Sequence, residues 1–115
     1  METQQLNKVQ LRGIIGSVKT FNVGDRKCAK ITIATNLAYR GQNGCCIIET
    51  TWHNVTAWEG NSIHELESLK KGDAVEIIGR LKNQRYTSSD GTEHSSVEIL
   101  AHTVSVITEP MKMEE

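Results

Sequence analysis

The chain reads as an all-β protein, a small closed barrel of five strands in Greek-key order with one short helix between strands 3 and 4. Three observations lead there. Five segments alternate apolar and polar side chains with a period of two, and Gly-rich turns separate most of them. Only one stretch carries apolar residues at helical spacing. The 115 residues, 37% hydrophobic, suffice for one compact domain and are too few for two independent cores. So small a sheet would leave long edges unpaired unless it closed on itself.

The first strand runs over Val9 to Lys19, with Val9, Leu11 and Ile15 inward and Lys8, Gln10 and Arg12 outward. Gly13 and Gly16 predict a bend or bulge that lets this long strand coil. Phe21 to Asp25 reads as a loop, in which Phe21 can pack or bind. The second strand is Cys28 to Ala38, and Gly41-Gln42-Asn43-Gly44 turns the chain into the third, Cys46 to Trp58. Ile63, Leu66 and Leu69 then recur at helical spacing, with Ser62 and Glu65 as a capping box and Gly72 at the C-terminal cap. The fourth strand spans Ala74 to about Tyr86. Ser88-Ser89-Asp90-Gly91 turns it into the fifth, about Glu93 to Ile107. The domain is therefore expected over residues 1–107, with 108–115 as a short flexible end.

Aromatic placement is the most informative functional signal. Counting by twos puts Trp52 and Trp58 on the face shared with Asn54 and Thr56, opposite His53, Val55 and Ala57. Val55 and Ala57 feed the core, so two large rings point toward water, as a stacking platform for unpaired bases or as a surface covered by a partner. Tyr86 falls in register with Arg80, Lys82 and Gln84 on a polar, cationic face. Tyr39 ends the run Ile31, Ile33, Thr35, Leu37, so alternation alone makes it a core residue unless a bulge resets the register. His53 has core parity and reads as a hydrogen-bonded packing or subunit-contact residue.

The formal net charge is −1, yet residues 8–40 carry seven Lys or Arg against the single Asp25. A local basic face attracts a polyanion even when the total is slightly negative, although an unevenly charged solvated surface gives the same count. The phosphate candidates are Lys8, Arg12, Lys19, Arg26, Lys27, Lys30, Arg40, Arg80, Lys82 and Arg85. Cys28, Cys45 and Cys46 show no metal-knuckle spacing and read as reduced thiols of a soluble, cytoplasmic protein; no metal site or cofactor is expected. The scattered histidines, the absence of a nucleophile-turn or phosphate-cradling glycine pattern, and the lack of clustered carboxylates argue against an enzyme, so no catalytic residue is assigned. No apolar run approaches a membrane span.

Three strands, a helix and two strands is the element order of the oligonucleotide-binding (OB) fold, whose ligand surface comprises strands 2 and 3 with the loops joining strands 1–2 and 4–5. The chain further resembles the bacterial single-stranded DNA-binding protein family over residues 7 to about 107. The resemblance is carried by Asn7-Lys8-Val9 leading to Gly13 and Gly16, Ile31-Thr32-Ile33-Ala34-Thr35-Asn36, Thr51-Trp52-His53-Asn54-Val55, Leu69-Lys70-Lys71-Gly72-Asp73, Gly79-Arg80-Leu81 and Asp90-Gly91. It implies base stacking at the positions of Tyr39, Trp52, Trp58 and Tyr86, which would also account for Tyr39. It implies a homotetramer, with single-stranded DNA wrapped across several barrels in replication, recombination or repair.

Two departures from the family qualify that expectation. Asn54 stands where the family usually has an arginine, and Asn83 and Gln84 thin the basic run between Lys82 and Arg85, which implies weaker electrostatic binding. The family's long Gly- and Pro-rich tail, whose acidic, apolar tip recruits repair and replication proteins, has no counterpart after Ile107, so tail-mediated recruitment is not expected. The competing expectation is a primosome-type protein of the same fold whose rings contact another protein.

Overall fold

The computed structural model describes residues 4–60, 63 and 66–108. Five strands carry the fold: β1 (Val9–Val23), β2 (Arg26–Arg40), β3 (Cys46–Trp58), β4 (Ala74–Thr87) and β5 (Glu93–Val106). They close in the order β1-β2-β3-β5-β4, with β1 completing the ring against β4. All pairings are antiparallel except the short β3–β5 contact, Val55 opposite Ile99 and Thr56 opposite Leu100. This is the predicted Greek-key barrel.

Closure depends on β1 serving two partners. Its first half pairs with β4, Val9 to Ile14, and its second half pairs with β2 from Ile14 onward. The register shifts between Ile15 and Ser17, at the glycine where a bulge was expected. The Ile15 backbone is engaged by the segment before β4: its N–H donates to the Asp73 carbonyl (2.9 Å) and its carbonyl accepts from Gly72 N–H (2.9 Å).

The core is built from small and β-branched side chains: Ile15, Ala29, Ile31, Ile33, Val55, Ala57, Val75, Ile77, Ile99 and Ala101, with Ile63 and Leu66 packed into the same cluster. Neither tryptophan, neither tyrosine nor the phenylalanine belongs to it. Between β3 and β4, the described residues form one 3-10 turn, Leu66–Ser68, where an amphipathic helix was expected. Ser62 and Glu65 of the capping box lie outside the described residues. The apolar spacing still identified the buried side chains: Ile63 and Leu66 are in the core and Leu69 packs against it.

The first two strands are longer than local pattern suggests. Phe21 to Val23, read as loop, continue β1, and β2 begins at Arg26, leaving a two-residue turn in which Gly24 has φ 63°. Pairing explains the extension, because each strand satisfies the other's backbone whatever its side chains. Of the expected flexible end, only Thr108 is among the described residues.

Candidate nucleic-acid interface

Register places the outer face of β1, β2 and β3 in successive cross-strand rows, since residues directly opposite in an antiparallel pair share a face. Phe21, Cys28 and Trp58 form one row; Lys19, Lys30 and Thr56 the next; Ser17, Thr32 and Asn54 the third; Ala34 and Trp52 the fourth. Two polar rows thus lie between two aromatic ones. Together with Gln84, Ser96 and Glu98 of the β4–β5 hairpin, the polar rows line a groove of about 390 Å³.

The two tryptophans are held differently. Trp52 is 61% exposed and lies against Gly16: a Cβ on that glycine would come 2.9 Å from Cη2 of the indole and closer still to Cζ3. The bulge glycine therefore provides the seat for the ring. Trp58 is half-buried, and the Arg26 guanidinium lies 5.1 Å from its ring centroid, a cation–π contact. Guanidinium planes and rings both stack with bases, so this end of the groove offers a composite surface.

Thr56, expected among exposed polar side chains, is only 4% exposed. Its hydroxyl donates to Glu98 Oε2 (2.6 Å) and accepts from Lys30 Nζ (2.7 Å), while Lys30 also donates to Glu98 Oε2 (3.2 Å). Lys30 is thus neutralised by an acidic group 68 residues away, which reduces its pull on a phosphate. Arg12 likewise binds Glu76 (2.5 Å) on the β1–β4 wall, away from the groove, and holds the Glu76 carboxyl below the ordinary carboxylate range. Lys19 lines the groove. Lys8 precedes β1, Arg40 ends β2 beside the hairpin turn, and both are exposed. On β4, Arg80, Lys82 and Tyr86 share the parity of the groove-lining Gln84, whereas Arg85 falls on the other face of the strand.

Tyr39 keeps its core parity: the β2–β3 ladder runs without a register shift from Cys28 to Arg40. It is nevertheless 42% exposed, because the hairpin outruns the barrel and its inward face no longer has a core to meet. Tyr39 and its neighbour Ile47 consequently occupy the face opposite Trp52 and Trp58. His53, on the inward face next to Ile33, is half-buried and hydrogen-bonded to Thr35 Oγ1 (2.9 Å). Tyr86 stacks on His94, centroids 5.0 Å apart and planes 18° from parallel. The register of the β4–β5 hairpin, closed by the Ser88 to Thr92 turn, sets the two rings directly opposite each other.

The profile of the Single-strand binding protein family matches residues 6–107. The chain belongs to that family. Among curated relatives, a single-stranded DNA-binding protein of Neisseria meningitidis serogroup A is 30% identical over 105 residues, 89% of this chain and 60% of that protein. One from Xanthomonas axonopodis pv. citri is 27% identical over 104 residues, covering 89% and 58%. The chain therefore spans about three-fifths of the length of these relatives. Among solved structures, a Plasmodium falciparum SSB complex with ssDNA superposes with a TM-score of 0.72 at 24% identity, covering 93% of this chain and 99% of that one. A single-stranded DNA-binding protein from Thermus aquaticus gives 0.70 at 18% identity, covering 89% and 50%. These likenesses show the fold of the single-strand binding protein family in this chain.

Sequence reasoning left Phe21 open between packing and binding and missed Glu98 and His94 altogether. Phe21 joins the Trp58 row, Glu98 neutralises Lys30, and His94 backs Tyr86. Parity within β1 would have placed Phe21 with Ser17 and Lys19 had the strand been drawn to Val23. No signal in the local sequence joins Glu98 to Lys30.

Proposed function

We propose that this chain binds single-stranded DNA with little sequence preference, stacking unpaired bases on Trp52, Trp58 and Tyr86 while cations around the groove meet the phosphates. The observation that carries the reading is the exclusion of every aromatic side chain from the core, with both tryptophans flanking a polar groove on one outer face. Each stacked base contributes ~1 to 3 kcal/mol and reads no sequence, because every base has a flat face. Family membership and the single-stranded DNA named in the superposing Plasmodium complex point the same way. Duplex DNA hides those faces and should bind more weakly.

Tyr39 serves as a further platform on the opposite side of the β2–β3 hairpin, which a strand wrapping around that hairpin would reach. The working unit is a homotetramer, in keeping with the exposed apolar side chains Leu37, Ile47, Leu81 and Val97 on the two hairpins, and His53 contributes to a subunit contact. The role is noncatalytic, in replication, recombination or repair in the cytoplasm. Neither stacking nor phosphate contact calls for a metal or cofactor.

The test is titration of intrinsic tryptophan fluorescence with poly-dT, alongside duplex of the same length. Stacking quenches the indoles and single strands win. Equal affinity for both forms, or saturable binding without quenching, rejects the platform.

A further inference from the structure

We propose that His94 is a positioning residue: it holds the Tyr86 ring in the orientation that receives a base, and the β4–β5 turn holds His94 in place through Ser88 and Asp90. The inference rests on the single-strand-binding reading and deepens it at one platform.

Tyr86 and His94 stand directly opposite each other across the β4–β5 ladder, so both rings leave the same face of the hairpin. The neighbouring row on that face is Gln84 and Ser96, which line the groove, so the two rings continue it by one row, about 7 Å. Tyr86 is 57% exposed and stands next to the end of its strand. A tyrosine with that much open space around it has three staggered χ1 wells to visit. His94 removes that freedom. The centroids lie 5.0 Å apart with planes 18° from parallel, within the range of an offset stack, so the imidazole covers one face of the phenol ring and leaves the other for a base.

The imidazole is itself tied down. Its Nε2 lies 3.2 Å from Ser88 Oγ. The Ser88 hydroxyl has one hydrogen, and two acceptors compete for it: Oδ1 of the Asp90 carboxylate and the Thr92 carbonyl at 3.2 Å. Only lone pairs remain for His94, so the imidazole carries its hydrogen on Nε2 and donates it to Ser88 Oγ. Asp90 Oδ1 is fixed in turn by Thr92 N–H (3.0 Å). Backbone bonds from Ser88 N–H to the Thr92 carbonyl (2.9 Å) and from Gly91 N–H to the Ser88 carbonyl (3.0 Å) close the turn. A continuous set of contacts therefore runs from a tight turn, through an imidazole, to the phenol ring. His94 does for Tyr86 what the bulge glycine does for Trp52.

The experiment is a double-mutant cycle on oligo-dT affinity, read by fluorescence anisotropy. A ring freed to visit three wells is in the binding one roughly a third of the time, so His94→Leu should weaken binding about threefold. His94→Phe, which restores a ring to stack on, should recover most of that loss. In a Tyr86→Ala background, which by itself weakens binding, His94→Leu should change nothing further, because its effect passes through the phenol ring. Parent affinity in folded His94→Leu overturns the proposal, as does a loss that His94→Phe fails to recover. A loss that persists in Tyr86→Ala also overturns it, since His94 then contacts DNA in its own right. A measurement on the unaltered protein decides the matter even should a variant fail to fold: NMR couplings of Tyr86 without DNA should report a single χ1 rotamer, and averaging over several overturns the proposal. Undiminished binding by Tyr86→Ala removes this ring as a platform, and the proposal with it, while the tryptophan platforms stand. No binding of oligo-dT by the parent removes the single-strand reading itself.

Discussion

Replacing Trp52 by alanine should separate binding from folding. Trp52 is 61% exposed, so only about two-fifths of its surface touches protein, part of it over Gly16. Truncation then forfeits roughly 100 Å² of apolar contact at most, or about 2.5 kcal/mol of stability at ~25 cal/mol per Å². Loss of a stacked base costs ~1 to 3 kcal/mol of binding, which is roughly 5- to 150-fold in Kd. Gly16→Ala provides the complementary perturbation: it leaves the indole present but drives a Cβ into its seat, so the ring must swing away. Both variants should melt cooperatively and bind fluorescently labelled oligo-dT more weakly by anisotropy, Gly16→Ala by the smaller factor. Undiminished affinity in folded Trp52→Ala, or a domain that no longer folds, would refute the assignment of this ring as a platform.

Affinity should fall with salt with a log-log slope of about −0.7 per phosphate neutralised. Lys19→Ala should make that slope shallower by ~0.7, whereas Arg12→Ala, paired with Glu76 on another wall, should leave it nearly unchanged; the reverse pattern would move the phosphate track to the β1–β4 side. The Asp90 carboxyl is held down to about 2 by the Ser88 hydroxyl and the Thr92 N–H, below the ordinary aspartate range. Because the folded-state pKa is depressed, its contribution is complete above the ordinary value and disappears as pH falls through about 2. Denaturation midpoints of parent and Asp90→Asn should therefore converge in that window, and parallel curves would reject the linkage. A thiol reagent should modify Cys45 and Cys46 quickly in the native protein and Cys28 only on unfolding, since burial pushes its thiol pKa up; fast reaction at all three would contradict the packing.

The alternation over Cys46–Trp58 identified β3 to the residue and separated buried Val55 and Ala57 from exposed Trp52. It failed at Thr56, whose burial depends on Lys30 and Glu98 brought from other strands. It gave Tyr39 the right parity and the wrong environment. A face named by alternation is buried only where something packs on it, and the hairpin ends run past the barrel rim.

Strand number, order of elements, the glycine at the β1 bulge and the polar-side placement of the tryptophans were determined by the sequence alone. Period-two patterns and turn glycines act between near neighbours, so a local reading captures them. Tertiary structure decided the length of β1 and β2, the contact of Trp52 with Gly16, the Tyr86–His94 stack and the pairing of Lys30 with Glu98. The Trp52–Gly16 and Lys30–Glu98 contacts depend on register between strands far apart in the chain, and the other two on how far each hairpin goes on pairing beyond its turn. Register is set by the closure of the whole barrel, because only one alignment buries all the inward faces together.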